Sequence, residues 1–285
     1  MFDRRITFRI FYLLPLFWMG LFFLAPLILM VAISFRKDIQ VEIFQVWMPT
    51  IAQYKELFSV GSYLRLLGIS ALMALVIALS GTILAYPVAY FLAFRAGAKA
   101  GQYLIFLLVP FWTSYLLRVM ALKLMLGSDG VINSFLEYIG VIKAPLDALL
   151  YNRGAVMITL IYVWIPFAAL PILAALQRID LSLFEAAADL GATPWWQFWR
   201  VTFPLSLPGV LAAFFMVFIP TVGEYATPLL VGGSEGSMYG NIIQDFFTKS
   251  ANWPLGSALS IVMLLGTLIL VAFALRLVDL RQIVE

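Results

Sequence analysis

Long apolar runs alternate with short polar stretches along the whole chain. The runs cover about residues 10–35, 66–94, 102–127, 154–176, 205–231 and 254–277, each near the roughly 20 residues that a helix needs to cross a bilayer. This pattern predicts an all-α integral membrane protein, one domain of six transmembrane helices over residues 1–285, and no internal repeat interrupts it. The first run follows Arg4, Arg5 and Arg9 and contains Pro15 and Pro26. It exceeds the apolar core of a signal peptide, so it reads as an uncleaved span. Between runs, an amphipathic piece is expected around Tyr54–Phe58 and a tight hairpin at 95–101. A short helix is expected around Asn133–Ile139.

The polar stretch 178–203 has its own internal order. Ser182 precedes Glu185 by three residues, the spacing in which a Ser caps a helix start and a Glu reaches back to the Ser backbone N–H. A helix is therefore expected to begin at Ser182. Ala186 and Ala187 make a smooth surface that another backbone can approach, and Gly191 supplies the positive φ that ends a helix and turns the chain. Thr193-Pro194 is a second start signal, an N-cap followed by a proline at the first helical position. Trp195, Trp196, Phe198 and Trp199 give that second helix an aromatic side suited to the headgroup zone.

Glu185-Ala186-Ala187, Gly191, Val201, Phe203 and Pro204 together resemble the E-A-A-x3-G-x9-I-x-L-P loop of permease subunits in bacterial ABC importers, with Val201 and Phe203 in place of Ile and Leu. The resemblance implies an ABC importer permease fold. It also implies that this loop sits in a groove of a cytoplasmic ABC ATPase dimer and carries its closing motion into the membrane. Ser182, Glu185, Ala186, Ala187, Gly191 and Pro204 are the residues it assigns to coupling.

Composition narrows the chemistry further. Hydrophobic residues make up 64% and charged residues 12%, where soluble domains carry roughly 25% charge. Without cysteine or histidine, disulfides, His- or Cys-ligated metals and Ser-His-Asp catalysis are excluded. No phosphate-binding G-x-x-x-x-G-K-[ST] loop occurs, so ATP and its Mg belong to a partner and this chain is expected to bind no cofactor of its own. The net charge of +3 is spread over single basic residues, which offers nucleic acid no stripe to bind. Membrane lipid is the surrounding solvent. Six spans place both termini on one side, and Arg4, Arg5, Arg9, Arg95, Lys99, Arg178, Arg200, Arg276 and Arg281 mark that side as cytoplasmic.

Charges inside the spans are costly and face a bundle interior or a pathway. Counting along the helices puts Arg118 roughly 25 Å and Glu224 roughly 30 Å above the cytoplasmic ends, so the two can pair or serve a solute. Lys123 lies close enough to the outer interface to snorkel. Glu224 sits in Gly223-Glu224-Tyr225-Ala226-Thr227-Pro228, where Gly and Pro can interrupt the helix and expose carbonyls. A negative, carbonyl-lined site suits a cationic solute, and Trp112, Tyr115, Tyr162, Trp164 and Tyr225 offer cation–π contacts to an ammonium group.

Pro110-Phe111-Trp112-Thr113-Ser114 with Arg118, and Gly223-Glu224-Tyr225 with Pro228 and Gly232-Gly233, resemble the spermidine/putrescine-type branch of these permeases. That branch implies a polyamine cargo, a second and different permease subunit, and an external solute-binding protein in the bacterial inner membrane system. Asp129, Glu137, Asp147, Glu235 and Asp245 are then candidates for docking the carrier. Relatives in the branch also take opines, phosphonates or iron. A gradient-driven transporter fits less well, since such proteins carry repeats and several midplane charges.

Overall fold

The computed structural model describes residue 13 and residues 15–37 and 49–277. Their regular elements are helices, with one isolated bridge between Arg36 and Pro49. The helices are α1 (Pro15–Ser34), α2 (Ala52–Ser59), α3 (Gly61–Phe94), α4 (Ala100–Leu108), α5 (Tyr115–Leu126), α6 (Val131–Tyr138), α7 (Arg153–Leu176), α8 (Ser182–Asp189), α9 (Pro194–Val222), α10 (Tyr239–Thr248) and α11 (Trp253–Leu277). Six stretches of the described residues are long and apolar enough to cross a membrane: α1, α3, Tyr115–Tyr138, α7, α9 and Trp253–Arg276. The start of the first run with Arg4, Arg5 and Arg9, and Arg281 near the other end, lie outside the described residues.

The third and fifth runs differ from the sequence reading. The expected continuous span 102–127 is broken: α4 gives way to a 3-10 turn at Val109–Trp112, Thr113 is extended, and α5 restarts at Tyr115. Pro110 alone does not explain this, because Pro87, Pro166 and Pro171 lie inside helices. The Thr113 hydroxyl donates to the Pro110 carbonyl at 2.8 Å, a local bond that competes with the helical ladder.

The fifth run errs in the other direction. No separate interfacial helix precedes it, since α9 begins at Pro194 and passes straight through Pro204. A π turn at Phe198–Thr202 makes this possible, with the Phe203 N–H bonded to the Phe198 carbonyl five residues back. The wider turn relieves the clash that a proline ring makes with the carbonyl four residues before it. The same device stands in α1, where the Ala25 N–H bonds to Gly20 just before Pro26.

The described residues form two compact units, one of residues up to Arg65 with Ile242–Gly266 and one of Leu66–Asn241 with the residues from Thr267 on. In the second unit, α7 and α9 pack along their lengths. Gly209 of α9 allows the closest approach, as a Cβ there would stand 2.6 Å from the Pro171 carbonyl oxygen and 2.5 Å from Ala175 Cβ. Ala213 and Val217 continue that buried stripe, facing a helix whose Ala168, Ala169, Ile172 and Leu176 are buried. Lipid tails are as apolar as leucine, so helix pairs in membranes gain from close small-residue packing and not from leaving water. In the first unit, the Tyr54 hydroxyl bonds Ser34 Oγ at 2.8 Å, Ser34 in turn donates to the Val31 carbonyl, and the Gln53 amide donates to the Arg36 carbonyl. Together they tie α2 to the end of α1.

Candidate functional site

The first candidate region is the connection from α7 to α9. Helix α8 begins at Ser182 as its sequence predicts, but the capping box does not form. Leu181 holds the cap position in helical geometry with no side-chain cap, and Glu185 is exposed. The Ser182 N–H is instead bound by Asp180 Oδ1 at 2.9 Å. A carboxylate is a stronger acceptor than a hydroxyl and also complements the positive helix start. This bond, with a second from the Ser182 hydroxyl, holds the Asp180 carboxyl below its ordinary pKa. The sequence signal was present, since Asp is as good a cap as Ser.

The end of α8 matches its prediction. Gly191 has φ +80°; its N–H bonds the Ala188 carbonyl, and the Ala192 N–H bonds the Ala187 carbonyl, the paired closure of a Schellman turn. Thr193 Oγ1 then accepts from the Trp196 N–H, with Pro194 opening α9. Ala187 is buried and Phe184 half-buried, whereas Leu190 is 89% exposed and Leu181 and Leu183 are also exposed. The exposed side forms an open groove of about 700 Å³ whose lining includes Leu183, Ala186, Leu190, Gly191, Trp196 and Arg200. The Arg200 guanidinium lies over the Trp196 ring, 5.3 Å from its centroid.

The second region is the end of α9. The helix stops at Val222, Gly223–Tyr225 are non-helical, and a π turn follows at Pro228–Gly232. So the predicted interruption is present, and it lies where the sequence reading had a continuous span to residue 231. Glu224 Oε1 accepts from the Ala226 and Thr227 N–H groups, both at 3.0 Å. It therefore caps the turn that follows the break. The Tyr115 hydroxyl of α5 bonds the Thr227 hydroxyl and lies beside the Glu224 carboxylate, with Arg118 one turn further along α5.

No ion pair within 4 Å joins Arg118 to Glu224, and Arg118 Nε and Nη1 are buried without a hydrogen-bond partner. Of the two possibilities left open for these charges, the direct pair is not made, and the two amides hold Oε1 of the carboxylate. Trp112 leaves 82% of its surface exposed and Tyr225 is also exposed, so neither is buried with Glu224. Lys123 lies over the Tyr151 ring at 5.5 Å.

Sequence reasoning missed the supports of this break. The Asn241 amide donates to the Tyr225 carbonyl at 2.9 Å, and its oxygen accepts from the Met238 N–H. A Cβ on Gly240 would stand 2.5 Å from the Gly223 carbonyl oxygen and 2.7 Å from that of Glu224. Asn133 plays a similar part in the 127–146 connection, donating to the Gly127 carbonyl and accepting from the Leu146 N–H. No group of three or more metal-ligating side chains occurs among the described residues.

Residues 5–282 match the family described as binding-protein-dependent transport system inner membrane component. The chain is 36% identical over 259 residues to the spermidine/putrescine transport system permease protein PotB of Salmonella typhimurium (strain SL1344), a match covering 89% of this chain and 88% of the relative. Its fold is similar to that in the crystal structure of a bacterial ABC transporter involved in the import of the acidic polysaccharide alginate, with TM-score 0.77, 18% identity, and coverage of 96% of this chain and 95% of the other. The alginate transporter in complex with an alginate pentasaccharide-bound periplasmic protein gives TM-score 0.72 at 17% identity over 95% and 93% of the two chains. At such identities the structural likeness concerns the fold alone.

Proposed function

This chain belongs to the family of binding-protein-dependent transport system inner membrane components, and from that premise we propose that it is the permease subunit of an ATP-driven ABC importer for a polyamine of the spermidine/putrescine class. The observation that carries the cargo is the 36% identity to a spermidine/putrescine permease across nearly the whole chain. The chain is a multi-pass inner-membrane transport subunit. In our reading the ATPase dimer docks on α8 and its groove, an external binding protein delivers the cargo, and a second permease completes the pathway. Exposed leucines on a polar connection support the docking surface, as apolar side chains in water favour a partner. ATP-driven closure then has to favour the outward-open state, since cargo could not otherwise enter from its carrier, and it does so by differential affinity for the two states.

Glu224 supports the cationic cargo. It is a half-buried carboxylate at a break between apolar helices, with the Tyr115 and Tyr225 rings nearby in sequence or space. The test is uptake of labelled putrescine and spermidine by proteoliposomes holding this chain, its partner permease, its ATPase and its binding protein. Uptake that requires internal ATP and saturates with either polyamine is expected. ATP-driven uptake of phosphonate or iron but of neither polyamine would overturn the cargo. Uptake driven by an ion gradient without ATP would overturn the importer reading.

A further inference from the structure

We infer that α8 acts on α3 through a file of aromatic rings, which makes Phe94 and Phe198 positioning residues of the transport cycle; the inference rests on the coupling role proposed for α8. The chain connects α8 covalently to α7 and α9 only. Phe184 of α8, which is not among the groove's lining residues, meets Phe94 of α3 edge to face, with centroids 5.5 Å apart and planes at 74°. Phe94 packs on Tyr90 at 5.0 Å, Tyr90 reaches Phe198 of α9 at 6.3 Å, and Phe198 meets Tyr86 at 5.7 Å and 87°. Tyr86, Tyr90 and Phe94 recur every four residues and so share one face of α3.

The file is anchored at its far end. The Ser206 hydroxyl donates to the Phe203 carbonyl and accepts from the Tyr86 hydroxyl at 2.9 Å. Phe203 also packs on both Phe198 and Tyr86. Edge-to-face rings at these separations have preferred geometry, and close-packed groups transmit strain. A shift of α8 is therefore passed on to α3 and α9 with little lost to side-chain rearrangement. The π turn at Phe198–Thr202 sits at the junction, and π-bulges are among the few features at which helices kink sharply. At about 51 Å for its 34 residues, α3 exceeds the ~30 Å hydrocarbon core and can carry its Phe94 end out to the level of a polar connection.

Phe94→Leu keeps an apolar side chain of similar size and removes the ring contact. The experiment uses the full complex in proteoliposomes with putrescine, measuring ATPase co-purification, ATP hydrolysis and uptake together. For Phe94→Leu we expect the ATPase to stay bound and ATP to be hydrolysed, while putrescine taken up per ATP falls roughly three- to tenfold. Phe94→Tyr should restore the ratio. Phe184→Leu, which removes the same contact from the α8 side, should reproduce the loss, and it decides the matter should Phe94→Leu fail to insert. An unchanged ratio in the inserted leucine variants overturns the ring file. Gly191→Val in parallel tests the underlying reading: if it disturbs coupling while the leucine variants do not, only the file fails. Full ATPase binding and uptake in Gly191→Val would remove the coupling role of α8 and the file with it.

Discussion

Glu224 carries a charge and also caps a turn, and substitution can separate the two. A Gln side chain keeps an oxygen able to accept from the Ala226 and Thr227 amides, so Glu224→Gln should insert and fold normally. Its putrescine uptake should fall by about tenfold, equivalent to ~1.4 kcal/mol of lost interaction with a cation. Glu224→Leu loses the cap as well, worth about 1 kcal/mol, and should also unfold at lower temperature in detergent. Because no direct ion pair joins Glu224 to Arg118, removing both charges should not restore uptake. Recovery in the Arg118→Gln/Glu224→Gln double variant would show that the two act as a pair.

Asp180 offers a pH test at the same scale. Its folded pKa is depressed by the Ser182 N–H, so its stabilisation is fully present above the ordinary carboxylate value and is lost as pH falls through the lower, folded one. Hydrogen-exchange protection of the first turn of α8 should be flat above about pH 5 and drop in the acid range. Asp180→Asn should abolish that drop.

At the scale of elements, the α7–α9 pair depends on one missing side chain. Gly209→Leu would drive its Cβ into the Pro171 carbonyl and Ala175, and overpacking of this kind costs about 1–3 kcal/mol. Thermal unfolding in detergent should show a lower midpoint. Gly68→Ala, inside α3 where an added Cβ meets nothing within 4 Å, should not lower it, since Ala is the better helix former. The existence of these helices was legible in the sequence because hydropathy over some 20 residues suffices to place a helix in lipid. Their ends were not. Pro110 stands at a break and Pro204 does not: a hydroxyl bond to the Pro110 carbonyl accompanies the first, and a π turn precedes the second.

For the molecule as a whole, the orientation in the membrane can be read with single cysteines, since the chain has none of its own. Leu190 and Tyr138 are each 89% exposed. In spheroplasts of cells lacking the ATPase, a membrane-impermeant thiol reagent added from outside should label Tyr138→Cys and leave Leu190→Cys untouched until the membrane is opened. The reverse pattern would put α8 on the wrong side for an ATPase and reject the proposed topology.

The sequence by itself determined the membrane class, the number of apolar runs, and the turn at Gly191 with the start at Thr193-Pro194. These are local matters, decided by hydropathy along a segment or by a side chain within a few residues of the backbone it serves. The tertiary structure alone decided that Glu224 is held by two amides and not by Arg118, that Asn241 and Gly240 support the Gly223–Tyr225 break, and that Phe184 reaches Phe94. The Glu224 bonds are local but lie at a break that Asn241 and Gly240 hold open, and the remaining contacts join residues far apart in the chain. Their partners depend on how closely the helices approach and in which rotation, which the pattern of polar and apolar positions leaves open where lipid and protein neighbours are equally apolar.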